Sequence, residues 1–186
     1  MGSLQLLDSV VRDGQTVVDG VKPDQLGAPT PCEEFDVRAL LNHLTVATTL
    51  IADGVNLKPM DPEVMKADLV GDDAATAFRQ ASKSLLESWN APGVLERNVL
   101  MPFGEVDAAA GLAFSCLELY THIADAAVAT GQEDALDPAT SEGVLGVAAA
   151  MPIDNFRMPG VFGPAVECAD GAPAHRRLLA LLGRAV

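Results

Sequence analysis

Aromatic side chains are scarce in this sequence: Phe, Trp and Tyr together make up 4% of it, with one Trp and one Tyr. Aromatic and β-branched residues favour sheets, so their scarcity beside abundant alanine favours close-packed helices. Basic residues are few as well. Lys and Arg total 12 against 26 Asp and Glu, a formal net charge of −14. A field of that sign repels the backbone of nucleic acid and an anionic membrane surface, so neither is an expected partner. The three cysteines, Cys32, Cys116 and Cys168, are odd in number and far apart. With no CxxC pair they make no disulfide framework, and a reducing cytoplasm is the expected compartment. The longest apolar run, near residues 144–153, is too short to cross a bilayer. Asp8, Arg12 and Asp13 stand where a secretory signal would need an apolar stretch. Missing too are the glycine-rich phosphate loops, the GxSxG nucleophile elbow and the HExxH zinc helix.

What is present is a globular composition, 49% apolar and 20% charged, over 186 residues. That length fits one domain with a sizeable core. Helical spacing predicts a first helix capped by Ser3 and ending near residues 20–23. A second starts at Asp36, with Val37, Leu40, Leu41, Leu44, Ile51 and Val55 as its buried stripe. A third follows Asp72 or Asp73 and carries Trp89 as a core residue. A fourth begins at Asp107 and stops at Gly131. Pro102 and Gly104 break the helical pattern, and Val99 to Phe103 reads as a strand or hairpin arm. After Pro138 a short helix, an extended piece near residues 160–167 and a final helix over residues 173–184 form an αβ appendage. The expected division is a bundle core over about residues 1–135 and an appendage over 136–186 within one domain. His175, beside Arg176 and Arg177, reads as a surface histidine.

The fourth helix carries the chemistry. It is apolar almost all the way round except for Glu118, His122 and Asp125, at i, i+4 and i+7. At about 100° per residue these three share one narrow side. On a central helix such a strip faces a cleft, and a buried Glu or His needs a partner. His43 sits at the edge of the second helix's stripe. Together His43, Glu118 and His122 offer two nitrogens and one oxygen, a set that suits Zn²⁺ and also Ni²⁺, Fe²⁺ or Mn²⁺. The same spacing also fits a hydrogen-bonded pair, or an exposed helix face. Asp125, one turn on, is placed either to orient His122 or as a surface carboxylate. Cys116 points elsewhere and reads as core, and no basic residue can be placed at the site.

TPCEEFDVRALLNHL (residues 30–44) resembles the opening motif of the mycothiol-dependent maleylpyruvate isomerase N-terminal-like proteins, within the DinB/YfiT-like metalloenzyme superfamily. ELYTHIADAAVATGQ (residues 118–132) resembles the second motif of that group. FGPAVECADGAPAHRRLLALLGR (residues 162–184) resembles the close of an actinobacterial-type metal-binding subfamily. The resemblance implies a mainly α protein, a DinB-like four-helix bundle with a small extended element and a C-terminal αβ appendage. It implies a divalent metal, zinc or nickel, held by a histidine of the first motif and the Glu and His of the second, here His43, Glu118 and His122. It further implies a small-molecule thiol of the mycothiol type and an electrophile as partners, with dimerisation as a family-level expectation. Phe35 and Ala124 stand where the group commonly has Trp, which predicts a reshaped or more open pocket. The isomerases carry a further C-terminal domain, so maleylpyruvate is not the expected substrate. Three functions fit: a metal-dependent thiol transferase or isomerase, a metal-dependent hydrolase, and a non-catalytic bundle that binds a small molecule or partner.

Overall fold

Aspartate starts four of the helices in the computed structural model, which describes residues 2–158 and 160–186. Asp36 opens α2 (Val37–Val55), Asp73 opens α3 (Ala74–Trp89), Asp107 opens α4 (Ala108–Thr130) and Asp137 opens α5 (Pro138–Ala150). Each carboxylate accepts the backbone N–H three residues on, from Ala39, Thr76, Ala110 and Thr140 respectively. Satisfying an otherwise orphan donor in this way is worth about 1 kcal/mol per helix. The first helix, α1 (Ser3–Gly20), differs from expectation. Gly2 is its cap residue and Ser3 its first helical residue, with the Gln5 side chain accepting the Gly2 N–H. The last helix is α6 (Ala174–Leu181).

Helix α1 packs on α3 and α4, and α2 packs on the same two. Thus α1 and α2 lie on one diagonal of a four-helix bundle and α3 and α4 on the other. Every residue of the predicted α2 stripe is buried, as are Leu7, Val10, Val17 and Val18 of α1. Phe78, Leu85 and Trp89 complete the core from α3. Helices α5 and α6 pack on each other and on α4. Helix α4 is therefore covered on most sides, which is why its sequence is apolar nearly all round.

The strands β1 (Asn98–Met101) and β2 (Gly104–Asp107) form the predicted hairpin, with Val99 opposite Val106 and Met101 opposite Gly104. It lies against α2 and α4. Contact with α2 requires Gly54, where a Cβ would sit 2.1 Å from the Leu100 carbonyl oxygen.

Beyond α5 the chain is held to α6 mostly by backbone bonds. Gly163 N–H donates to Leu182 O at 3.2 Å and Val166 N–H to Ala180 O at 3.0 Å. Arg157 pairs with Phe162 in a single parallel bridge. His175 is not a surface residue. It is buried, with Nε2 2.9 Å from Glu133 Oε1, and Arg176 grips the same carboxylate at 2.6 and 2.8 Å. The turn after α4 supplies this carboxylate from 42 residues away, a partner the local sequence around His175 does not reveal. Among the described residues no helix is long and apolar enough to cross a membrane.

Candidate metal centre

Two adjacent bundle helices bring the predicted trio together. The i, i+4 spacing puts Glu118 and His122 on successive turns of α4, and the packing of α2 against α4 turns His43 toward them. Glu118 Oε1 is 3.4 Å from His43 Nε2 and 3.6 Å from His122 Nε2. One ligand atom from each residue falls within 4.8 Å of the other two. The imidazoles meet edge to face, with centroids 4.7 Å apart.

These separations can be set against the size of an ion. Metal–ligand bonds of about 2.0–2.2 Å in tetrahedral geometry place neighbouring ligand atoms about 3.3–3.6 Å apart. The two measured contacts match that spacing, and the donor set of two imidazoles and one carboxylate is a common one for a site with an open position. The residues present therefore fit a divalent ion.

Exposure is graded across the site. The side chain of His43 is 36% exposed and that of Glu118 22%, while His122 is 9% exposed and Asp125 fully buried. The centre thus opens on the α2 side. Phe35 stacks on the His43 ring there, with centroids 4.9 Å apart and planes 24° from parallel. A groove of about 300 Å³ adjoins it, lined by Phe35, His43, Val46 and Met65 among others. Phe35 thus supplies an aromatic face beside His43. Ala124 is wholly buried within the hydrophobic core.

The charges of the centre act on one another. Burial by itself would raise the Glu118 carboxyl, but His122 and His43 more than offset it and hold it well below the usual carboxylate range. Burial would lower His122, but Asp125 and Glu118 win and raise it to about 9. A proton on His122 offsets one of the two carboxylates that flank it.

Two members of the site were not legible in the sequence. Arg184, beyond α6, reaches the floor of the centre, its Nε 3.4 Å from Asp125 Oδ2. Cys32, in the loop before α2, forms a second group with His122 and Asp125 in which all three ligand atoms lie within 4.8 Å. Burial raises its thiol, against the opposing pull of Arg184. Only the TPC motif hinted at Cys32, and nothing local singled out Arg184. Cys116, by contrast, is core as expected, and burial pushes its thiol up to about 12.

A central bundle helix with a Glu/His/Asp strip facing a histidine on its neighbour defines the class. Residues 7–127 match the model of the mycothiol maleylpyruvate isomerase N-terminal domain, a DinB-like family, and the chain belongs to that family. The matched span includes Cys32, His43, Glu118, His122 and Asp125, and leaves out Arg184. Two uncharacterized proteins of Mycobacterium tuberculosis, Rv0738 and MT0763, are each 32% identical to it over 167 residues, covering 89% of this chain and 88% of theirs. No solved structure gives a significant match.

Proposed function

We propose that the protein binds one divalent metal ion through His43, Glu118 and His122 and serves as a thiol transferase or isomerase, with a low-molecular-weight thiol of the mycothiol type as cosubstrate. The observation that carries the reading is the pair of contacts from Glu118 Oε1, 3.4 Å to His43 and 3.6 Å to His122, on the open side of a buried charge cluster. Zinc suits this donor set, as do nickel, iron(II) and manganese.

Charge supports the thiol. Glu118 and Asp125 contribute two formal negative charges and Arg184 one positive. A divalent ion in place of the His122 proton would leave the cluster at net +1, which a thiolate balances. When bound, the ion would lower the pKa of a coordinated thiol. The chain's own residues do the rest. Phe35 fixes the His43 ring and screens it from water on one face. Asp125 faces Nδ1 of His122 at 3.4 Å and favours a proton there, which leaves Nε2 free as a donor. The groove beside His43 gives the thiol's remainder a place to lie.

The test is metal content by mass spectrometry on protein purified without an affinity tag, beside His43→Ala, Glu118→Ala and His122→Ala. The expected result is about one equivalent of a divalent ion, lost in all three variants, and saturable thiol affinity that disappears with the ion. No uptake on reconstitution by a folded wild type overturns the proposal. Turnover of esters or amides without thiol would redirect it to hydrolysis.

A further inference from the structure

The two donor groups at the centre share His122, and they differ in what already occupies them. Among the described residues, Glu118 is paired with no side-chain cation besides His43 and His122. The group formed by Cys32, His122 Nδ1 and Asp125 has a guanidinium against it. Beyond α6 the backbone turns at Gly183 (φ +91°), a left-handed conformation that favours glycine. A Cβ there would come within 2.6 Å of Gly163 Cα. The turn delivers Arg184 inward, leaving it 7% exposed. Its Nη1 donates to the Leu182 carbonyl at 3.2 Å, its Nη2 to Cys32 Sγ at 3.9 Å, and its Nε faces Asp125 Oδ2 at 3.4 Å. Three directions of contact fix the planar group.

Two buried polar atoms at this spot have no hydrogen-bond partner, His122 Nδ1 and Asp125 Oδ1. Oδ2 of the same carboxylate stands 3.4 Å from that Nδ1, off the line of a hydrogen bond. A small rotation of the carboxylate would join them, and orphaned groups in a buried site favour that closure.

We infer that Arg184 is a positioning residue for the centre: its guanidinium takes the cation's place in the Cys32–His122–Asp125 group and holds the Asp125 carboxylate against Nδ1 of His122, so that Nε2 faces Glu118 and His43. Its bearing on metal affinity rests on the metal reading above. Its effect on the His122 ring does not, since it follows from the contacts of Arg184, Asp125 and His122 with one another.

The experiment compares wild type with Arg184→Met, Arg184→Lys and Asp125→Asn. Cobalt(II) affinity is followed by absorption, and the His122 Nδ1–H is followed by ¹⁵N-edited NMR in metal-free protein. Folding is monitored by circular dichroism. Expected are a slowly exchanging, low-field Nδ1 proton in wild type, its loss in Arg184→Met and Asp125→Asn, and cobalt affinity about 10- to 100-fold weaker in both. Arg184→Lys keeps the charge without the planar fork and should recover part of each signal. An unchanged Nδ1 proton and affinity in folded Arg184→Met overturn the inference. If that variant does not fold, Arg184→Lys decides: an Nδ1 proton and affinity identical to wild type overturn it equally. If wild type takes up no cobalt, the metal reading falls and the Nδ1 proton by itself settles the role of Arg184.

Discussion

Replacing Asp13 by Asn should stabilise the protein at neutral pH. Asp13 sits on α1 and is 5% exposed, and it accepts the Asp137 N–H at 3.1 Å. Burial raises its carboxyl from 3.8 to about 6, helped by repulsion from Asp137 and opposed by the Asp137 N–H bond and Arg12. A carboxyl with a raised folded pKa binds more protons folded than unfolded between those two values. Stability therefore falls as pH rises from about 4 to about 6 and then levels off. Asn keeps the accepting oxygen and never ionises, so the gap between variant and wild type should open over that window. Two-state linkage with those pKa values gives a penalty of about 1 kcal/mol at pH 4.5 and about 3 kcal/mol at pH 7.5, a widening of about 2 kcal/mol. Partial solvent access near the site brings the expected widening to about 1–2 kcal/mol. Urea unfolding of both proteins at half-unit steps from pH 4.5 to 7.5 measures it. Other titrating groups are common to the two proteins and cancel in the difference. A gap that stays constant across the range, or one that closes as pH rises, refutes the reasoning.

Three further outcomes follow from contacts described above. Gly54→Ala should lower stability by about 1–3 kcal/mol, because a Cβ 2.1 Å from the Leu100 carbonyl forces β1 away from α2; thermal melting reads this, and an unchanged melting temperature contradicts the close packing. Phe35→Ala removes a ring stacked on His43. With such contacts worth about 0.5–1.5 kcal/mol, the divalent-ion affinity proposed for this centre should fall about 2- to 10-fold by calorimetric titration while the fold persists. Glu133→Gln should cost about 1 kcal/mol at pH 7 by unfastening α6 from the end of α4. Arg176 above all, with His175, holds the Glu133 carboxyl down at about 2, so its contribution is present above the ordinary carboxylate range and lost as pH falls toward 2. Unfolding curves for that variant should converge on wild type in acid.

The helices were legible because their signals are local. An aspartate three residues before its N–H partner, a stripe recurring every three or four residues, and a glycine at the end of α4 need no knowledge of the rest of the chain. The strip of Glu118, His122 and Asp125 follows from the same period. His43 joined it through helix-edge placement and motif resemblance, and the structure then brought the three ligand candidates within ligand spacing. The Arg184 contact could not be read this way. Its path to Cys32 spans 152 residues and depends on how the segment after α5 bonds back onto α6. The partner of His175 was hidden for the same reason, since Glu133 reaches it only once α6 has docked.

The sequence by itself determined the helical class, the starts of α2, α3 and α4 and the face of α4 that carries polar groups, because periodicity and capping are written within a few residues. Only the tertiary structure decided which side chains stand behind that face. Whether His122 has a guanidinium-backed carboxylate at its Nδ1, or whether His175 lies buried, depends on contacts between segments far apart in the chain, and no local propensity encodes them.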